Sequence, residues 1–246
     1  MTTAVAAPAR TVDLRSASRV FAAVILPIGP AAIAILRFVM PYSTTDDGTT
    51  LVHEVARHQS AQSAVVWLGF IASLTMVPAV IFAGRLVGRH SPRLAAAAMV
   101  LMVPAYLTLG WLAAADAAVW FGVRHGIPDA TLASMYNEIH PAAGVATGIF
   151  VVGHVFGTVL LGIALIRTRI VPLWAGVIIA VSQPLHFTAA VILSSHSLDL
   201  VAWGLNAVGF AAVSVAVLSL SDDEWAVPPA SESPLSSSRS TARRSS

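Results

Sequence analysis

The chain lacks cysteine and lysine, and it has few charged residues of any kind. Without cysteine it can form no disulfide, no thiolate metal site and no cysteine nucleophile. Charged residues make up 11% of the sequence, whereas soluble domains carry about 25%. A soluble fold of 246 residues could not bury the 57% of them that are hydrophobic. The composition therefore favours a membrane protein over a soluble enzyme.

Apolar runs of helical length recur along the chain. About 20 helical residues cross a bilayer core about 30 Å thick. The runs cover residues 20–40, 64–83, 94–114, 143–166, 171–193 and 200–220. The sequence predicts an all-α polytopic membrane protein, a six-transmembrane-helix bundle whose partner is the lipid bilayer.

The arginines divide between alternate loops. Beyond Arg37, which lies within the first run, one set of loops holds only Arg57 and Arg124, and all the other arginines lie in the remaining loops and the two termini. Because basic residues near helix ends resist translocation, both termini are predicted to be cytoplasmic. Residues 1–19 would then form a cytoplasmic N-terminal segment. Residues 221–246, rich in serine and charge, would form a disordered cytoplasmic tail.

Two compositional features bear on origin and partners. Using arginine to the exclusion of lysine is typical of a GC-rich bacterial genome, so we expect a bacterial plasma membrane protein. The pI of about 9.7 is explained by the cytoplasmic arginines, and no nucleic-acid partner is predicted.

No catalytic motif emerges from the polar residues, and the chain is not expected to be an enzyme. His53, Glu54 and His58 resemble a zinc-protease motif, but a spacing of five places the two imidazoles on different helical faces. No metal site is predicted. No acidic residue falls within a predicted span, which leaves histidine as the titrating group inside the bundle.

Five polar side chains fall at similar depths in the outer half of four neighbouring spans. Polar groups in hydrocarbon are costly, so they mark either interhelical hydrogen bonds or a functional pocket. The pocket candidates are Tyr106, His154, Gln183, His186 and Asn206. Arg37 is expected to reach the outer headgroups and to meet Asp46 or Asp47.

Three function classes follow. The first is transport or binding of a small-molecule ligand through this outer-half pocket. The second is a structural or regulatory membrane component without chemistry of its own. The third is a b-type haem electron-transfer subunit, in which His154 and His186 would ligate the iron; no other cofactor is predicted.

Overall fold

Long helices account for most of the chain, because alanine, leucine and valine runs satisfy their backbone hydrogen bonds within each segment. The computed structural model describes residues 14–226. Its membrane-length helices are α1 (Leu14–Val39), α3 (Gln59–Gly88), α4 (Pro92–Arg124), α6 (Pro141–Thr168), α7 (Leu173–Phe187) with its π-helical continuation Thr188–Ile192, and α8 (His196–Leu218). These described residues contain no strand. The predicted all-α chain with six helices able to span a membrane is confirmed.

Short helices cover the two ends of the bundle. At one end, called the cap end below, α2 (Gly48–Arg57) and α5 (Asp129–Asn137) pack on each other and on α4. At the other, called the terminal end, α9 (Asp222–Trp225) packs on α1. The first and last described residues therefore lie at the same end of the bundle.

The long helices close into a ring. Each packs against two neighbours in the order α1, α3, α4, α6, α7, α8 and back to α1, and α3 also touches α6 across the ring. Large apolar side chains such as Trp67, Val100 and Val215 are exposed on the outside. Such a surface is stable against the apolar core of a bilayer, whereas exposing it to water would be unfavourable.

α6 packs closely against its neighbours in the terminal half. A Cβ added at Gly162 of α6 would lie 2.6 Å from the backbone nitrogen of Ala180, and one at Gly157 would overlap Met102. A Cβ at Gly144 or Gly148, which are exposed nearer the cap end, would meet no atom within 4 Å. Glycine therefore permits close helix contact at Gly157 and Gly162, and lies on the outer surface at Gly144 and Gly148.

Several helices extend beyond the apolar runs that predicted them. α4 continues to Arg124 and α8 begins at His196, so Asp116 and Asp199 both lie inside membrane-length helices. The predicted spans contain no acidic residue, but the longer helices of the structure contain these two. A helix does not end where hydropathy falls, because its backbone hydrogen bonds continue and a carboxylate inside the bundle can find partners.

The ends of the chain also differ from the predicted boundaries. α1 begins at Leu14, inside the predicted N-terminal segment, and α9 lies inside the predicted disordered tail. Trp225 of α9 is only 1% exposed. The rest of the two predicted segments, residues 1–13 and 227–246, lies outside the described residues.

α9 is held at the terminal end by several polar contacts. Arg15 and Arg19 of α1 form ion pairs with Asp223 and Asp222, at 2.5 and 3.0 Å. Arg85 donates a hydrogen bond to the Trp225 carbonyl at 2.6 Å, and its guanidinium lies 4.7 Å from the centre of the indole ring. These contacts join the chain after α8 to α1 and α3.

Candidate functional site

A cavity of about 420 Å³ occupies the cap half of the ring. Residues of all six long helices and of α5 line it, so no single pair of helices forms it. Its apolar wall includes Ile33, Leu36, Leu109, Leu112, Phe150 and Val151. Its polar lining consists of Arg37, Thr44, Asp116, Tyr136, Thr147, His154, His186 and the indole of Trp203.

A buried ion pair joins α1 to α8 beside the cavity. Arg37 Nε donates to Asp199 Oδ2 at 2.5 Å, and the two side chains are 11% and 1% exposed. His186 Nδ1 lies 2.5 Å from the other oxygen of the same carboxylate. The expectation that Arg37 meets Asp46 or Asp47 at the headgroups is wrong, because Asp199 lies inside the bundle and provides a counter-ion without exposure to water.

His154 and His186 come together at the cavity wall. Their ring centres are 5.4 Å apart, and the Trp203 indole lies 6.1 and 5.3 Å from them. His154 Nδ1 contacts the carbonyl of Phe150 at 2.5 Å. Its Nε2 atom is buried and has no hydrogen-bond partner among residues 14–226. A ligand or water with a polar atom would satisfy that nitrogen.

A second carboxylate, that of Asp116 on α4, also lines the cavity and is partly buried. Its Oδ1 accepts hydrogen bonds from the Tyr42 hydroxyl and, at 3.1 Å, from Gln62 Nε2. Both donors are neutral, unlike the guanidinium beside Asp199. Burial, followed by the negative charge of Asp116, raises the pKa of Tyr42 well above its ordinary value, so this hydroxyl stays protonated and donates.

The other three predicted pocket residues do not line the cavity. Asn206 donates from Nδ2 to Ser182 Oγ at 2.9 Å, which is an interhelical hydrogen bond between α8 and α7. Both amide atoms of Gln183 are buried and have no hydrogen-bond partner in the described part of the chain. The Tyr106 hydroxyl is buried beside the Thr158 side chain. Tyr106 approaches the site only through the ring of Phe150, at 6.4 Å.

Sequence reasoning missed the residues that supply most of the charge. Asp116 and Asp199 lie just outside the apolar runs, and Arg37 was assigned to the headgroups. One signal could have found Asp199: an arginine inside a span requires a counter-ion, and Asp199 is one residue from the start of the last run. No comparable signal pointed to Asp116.

The histidine and carboxylate side chains at the site bear on whether it could bind a metal ion or haem. Within residues 14–226, no group of three or more histidine, aspartate or glutamate side chains is arranged to bind a metal ion. His154 Nε2 has no partner in the part of the chain that the structure describes, whereas His186 Nδ1 contacts Asp199. Ligation of haem by these two histidines stays a prediction.

No known protein family, curated protein or solved structure matches the chain.

Proposed function

We propose that this protein is a bacterial plasma membrane protein with both termini in the cytoplasm, and that it binds a small, largely apolar molecule in the cap-half cavity. The observation that carries the proposal is the cavity itself. Its volume of about 420 Å³ falls within the range of about 300–1,000 Å³ that ligand sites occupy. An apolar wall with a few polar groups at fixed positions is typical of such sites.

The unused hydrogen-bonding capacity of His154 supports a ligand rather than packing alone. Nε2 of His154 is buried without a partner in the described residues. Other buried polar atoms, such as the amide atoms of Gln183, are also unpaired, but they do not line the cavity. His154 lines it together with Trp203, whose indole nitrogen is likewise unpaired in the described residues, so a ligand in the cavity could bond to both.

Arginine placement supports the proposed orientation. Arg15, Arg19, Arg85 and Arg89 lie at the terminal end of the bundle. Because arginine-rich ends stay in the cytoplasm, the cap end would face outwards. A reporter enzyme fused after Ser246 should then be active only in the cytoplasm. Activity of an exported reporter at that position would contradict the orientation.

Transport is a second candidate function, favoured by the difference between the two halves of the ring. The cap half contains the cavity, while in the terminal half α6 packs closely against α4 and α7. A carrier that exposes its site to one side of the membrane at a time passes through such an arrangement. Uptake of a bound compound into proteoliposomes would support transport. Binding without uptake would instead indicate that the protein is a receptor or sensor.

Adjacent valines on α6 allow a matched test of the cavity. Val151 lines the cavity, whereas Val152 is 52% exposed on the outer surface of the ring. Val151→Trp should fill the cavity and Val152→Trp should leave it unchanged. Three probes share a benzyl group and differ in head-group charge: benzyltrimethylammonium, benzyl methyl sulfone and phenylmethanesulfonate.

Binding would be measured by equilibrium dialysis of the full chain in nanodiscs, with empty nanodiscs subtracted. We expect at least one probe to bind the wild-type chain and Val152→Trp, and to bind Val151→Trp about tenfold or more weakly, which corresponds to about 1.4 kcal/mol. Equal binding to both variants, or no binding of any probe, would overturn the proposal.

A further inference from the structure

We infer that the ligand of the cap-half cavity is an organic cation with an apolar body, and that Asp116 is its counter-ion. This inference rests on the proposed function and names the class of molecule that the site takes. Three observations support it: Asp116 has no ion-pair partner within residues 14–226, aromatic side chains lie in the cavity wall, and the arginine of the lining is paired with Asp199.

The charges around the cavity leave one carboxylate without a cationic partner. Arg37 and Asp199 form an ion pair and cancel. The donors to Asp116, Tyr42 and Gln62, are both neutral. An isolated charge inside a membrane protein is costly, so it is expected to acquire an opposite charge or a proton. A bound cation would provide that charge.

The remaining titratable groups near Asp116 do not remove this need. They include Arg37 on α1, Tyr42 and Asp46 after α1, Tyr136 on α5, His154 on α6, His186 on α7 and Asp199 on α8. Arg37 is paired with Asp199, and within residues 14–226 no basic side chain forms an ion pair with Asp116. His186 is already in contact with Asp199 and not with Asp116.

Aromatic side chains in the wall fit a cation with an apolar body. Trp111, Tyr136 and Phe150 line the cavity together with Asp116. The face of an aromatic ring attracts an ammonium group within about 6 Å, and the attraction is larger where water is excluded. The same rings provide apolar surface for the rest of the ligand.

An anion in the cavity would have to compete with Asp199 for Arg37, the arginine of the lining. Arg37 donates from Nε to Asp199, from Nη2 to Thr44 Oγ1 at 2.6 Å, and from Nη1 towards Met40 Sδ at 3.2 Å. To bind an anion, the guanidinium would have to leave Asp199, which would then be a buried carboxylate without its partner.

The three benzyl probes test this inference without any substitution. Benzyltrimethylammonium and phenylmethanesulfonate have tetrahedral head groups of similar size and opposite charge, and benzyl methyl sulfone is neutral. We expect the wild-type chain to bind the cation about tenfold or more tightly than the neutral sulfone, and to bind the anion most weakly. Equal binding of cation and sulfone, or tighter binding of the anion, would overturn the inference.

The substitution Asp116→Asn tests whether Asp116 is the counter-ion of the bound cation. It should weaken binding of the cation about tenfold or more and leave binding of the sulfone unchanged. Asp129→Asn is the matched control, because Asp129 is an exposed carboxylate on α5 that does not line the cavity. Equal loss in both variants would show that only the long-range charge of the cap end matters, and would overturn the role of Asp116.

The outcomes separate the two proposals. If the sulfone or the anion binds best, and Val151→Trp abolishes that binding, the cavity is a ligand site and only the cation inference fails. If no probe binds, the proposed function fails, and the inference that depends on it fails too.

Discussion

Arg37 and Asp199 are 162 positions apart in the sequence, yet the Nε atom of Arg37 lies 2.5 Å from an oxygen of Asp199. The pair joins the first and last long helices, α1 and α8, and so closes the ring beside the cavity. His186 of α7 contacts the same carboxylate. The buried carboxylate of Asp199 therefore links the cap halves of α1, α7 and α8.

Breaking this pair should destabilise the protein strongly. Arg37→Gln or Asp199→Asn should each lower the free energy of unfolding by about 3–5 kcal/mol, because the remaining charge is buried without its partner. Unfolding of purified protein in detergent would measure the change. Arg57→Gln is the control, since that side chain is 62% exposed and should change stability by less than about 0.5 kcal/mol.

The double substitution Arg37→Met with Asp199→Leu gives a sharper result. It removes both charges, so it should cost less than either single substitution. A double variant that is less stable than both singles would show that the pair does not act as a coupled unit.

The contact of α9 with the bundle should contribute measurably to stability. Trp225→Ala should lower the free energy of unfolding by about 3–5 kcal/mol, as expected for a buried indole. Asp223→Asn changes a pair in which the carboxylate is 88% exposed, and should have little effect. Thermal unfolding of the two variants would compare them, and equal melting temperatures would contradict the packed position of Trp225.

The glycines of α6 should respond in opposite ways to alanine. Gly162→Ala places a methyl group 2.6 Å from the backbone of α7 and should be destabilising. Gly148→Ala meets no atom and should be neutral, or stabilising by up to about 1 kcal/mol, because alanine favours helix. The same unfolding assay applies. Destabilisation by Gly148→Ala equal to that by Gly162→Ala would contradict the close contact between α6 and α7 at Gly162.

Tyr42 should ionise only at strongly alkaline pH. Burial and the nearby Asp116 raise its pKa above its ordinary value, which is about 10. The stability contributed by its hydroxyl should therefore be present below about pH 10 and be lost as the pH rises through the higher pKa of the folded state. The difference in tyrosinate absorbance between wild type and Tyr42→Phe would measure this step. A step below pH 10 would contradict a buried Tyr42.

The six long helices could be predicted because bilayer thickness and hydropathy fix the length and spacing of apolar runs. The approach of His154 to His186 followed from their positions in adjacent layers of neighbouring helices. Depth alone did not place Tyr106, Gln183 and Asn206 at the cavity, because the rotation of each helix about its axis decides which side chains face inwards. That rotation is set by packing contacts such as Gly162 against Ala180, which no single apolar run encodes.

The charged part of the site was not predictable from hydropathy. A run that stops at a charge excludes Asp116 and Asp199 by definition, although the helices continue through both residues. Pairing with Arg37, Tyr42 or Gln62 is what makes these carboxylates tolerable inside the bundle. Such pairs link distant parts of the sequence and become visible only in the folded protein.

The absence of native cysteine allows a direct measurement of cavity occupancy. In Val151→Cys the only thiol would lie in the cavity wall, and its rate of reaction with a small thiol reagent can be followed in nanodiscs. We expect benzyltrimethylammonium to slow this reaction in Val151→Cys. In Val152→Cys, where the thiol lies on the outer surface, the cation should leave the reaction rate unchanged. An unchanged rate for Val151→Cys at saturating cation would contradict binding in the cavity.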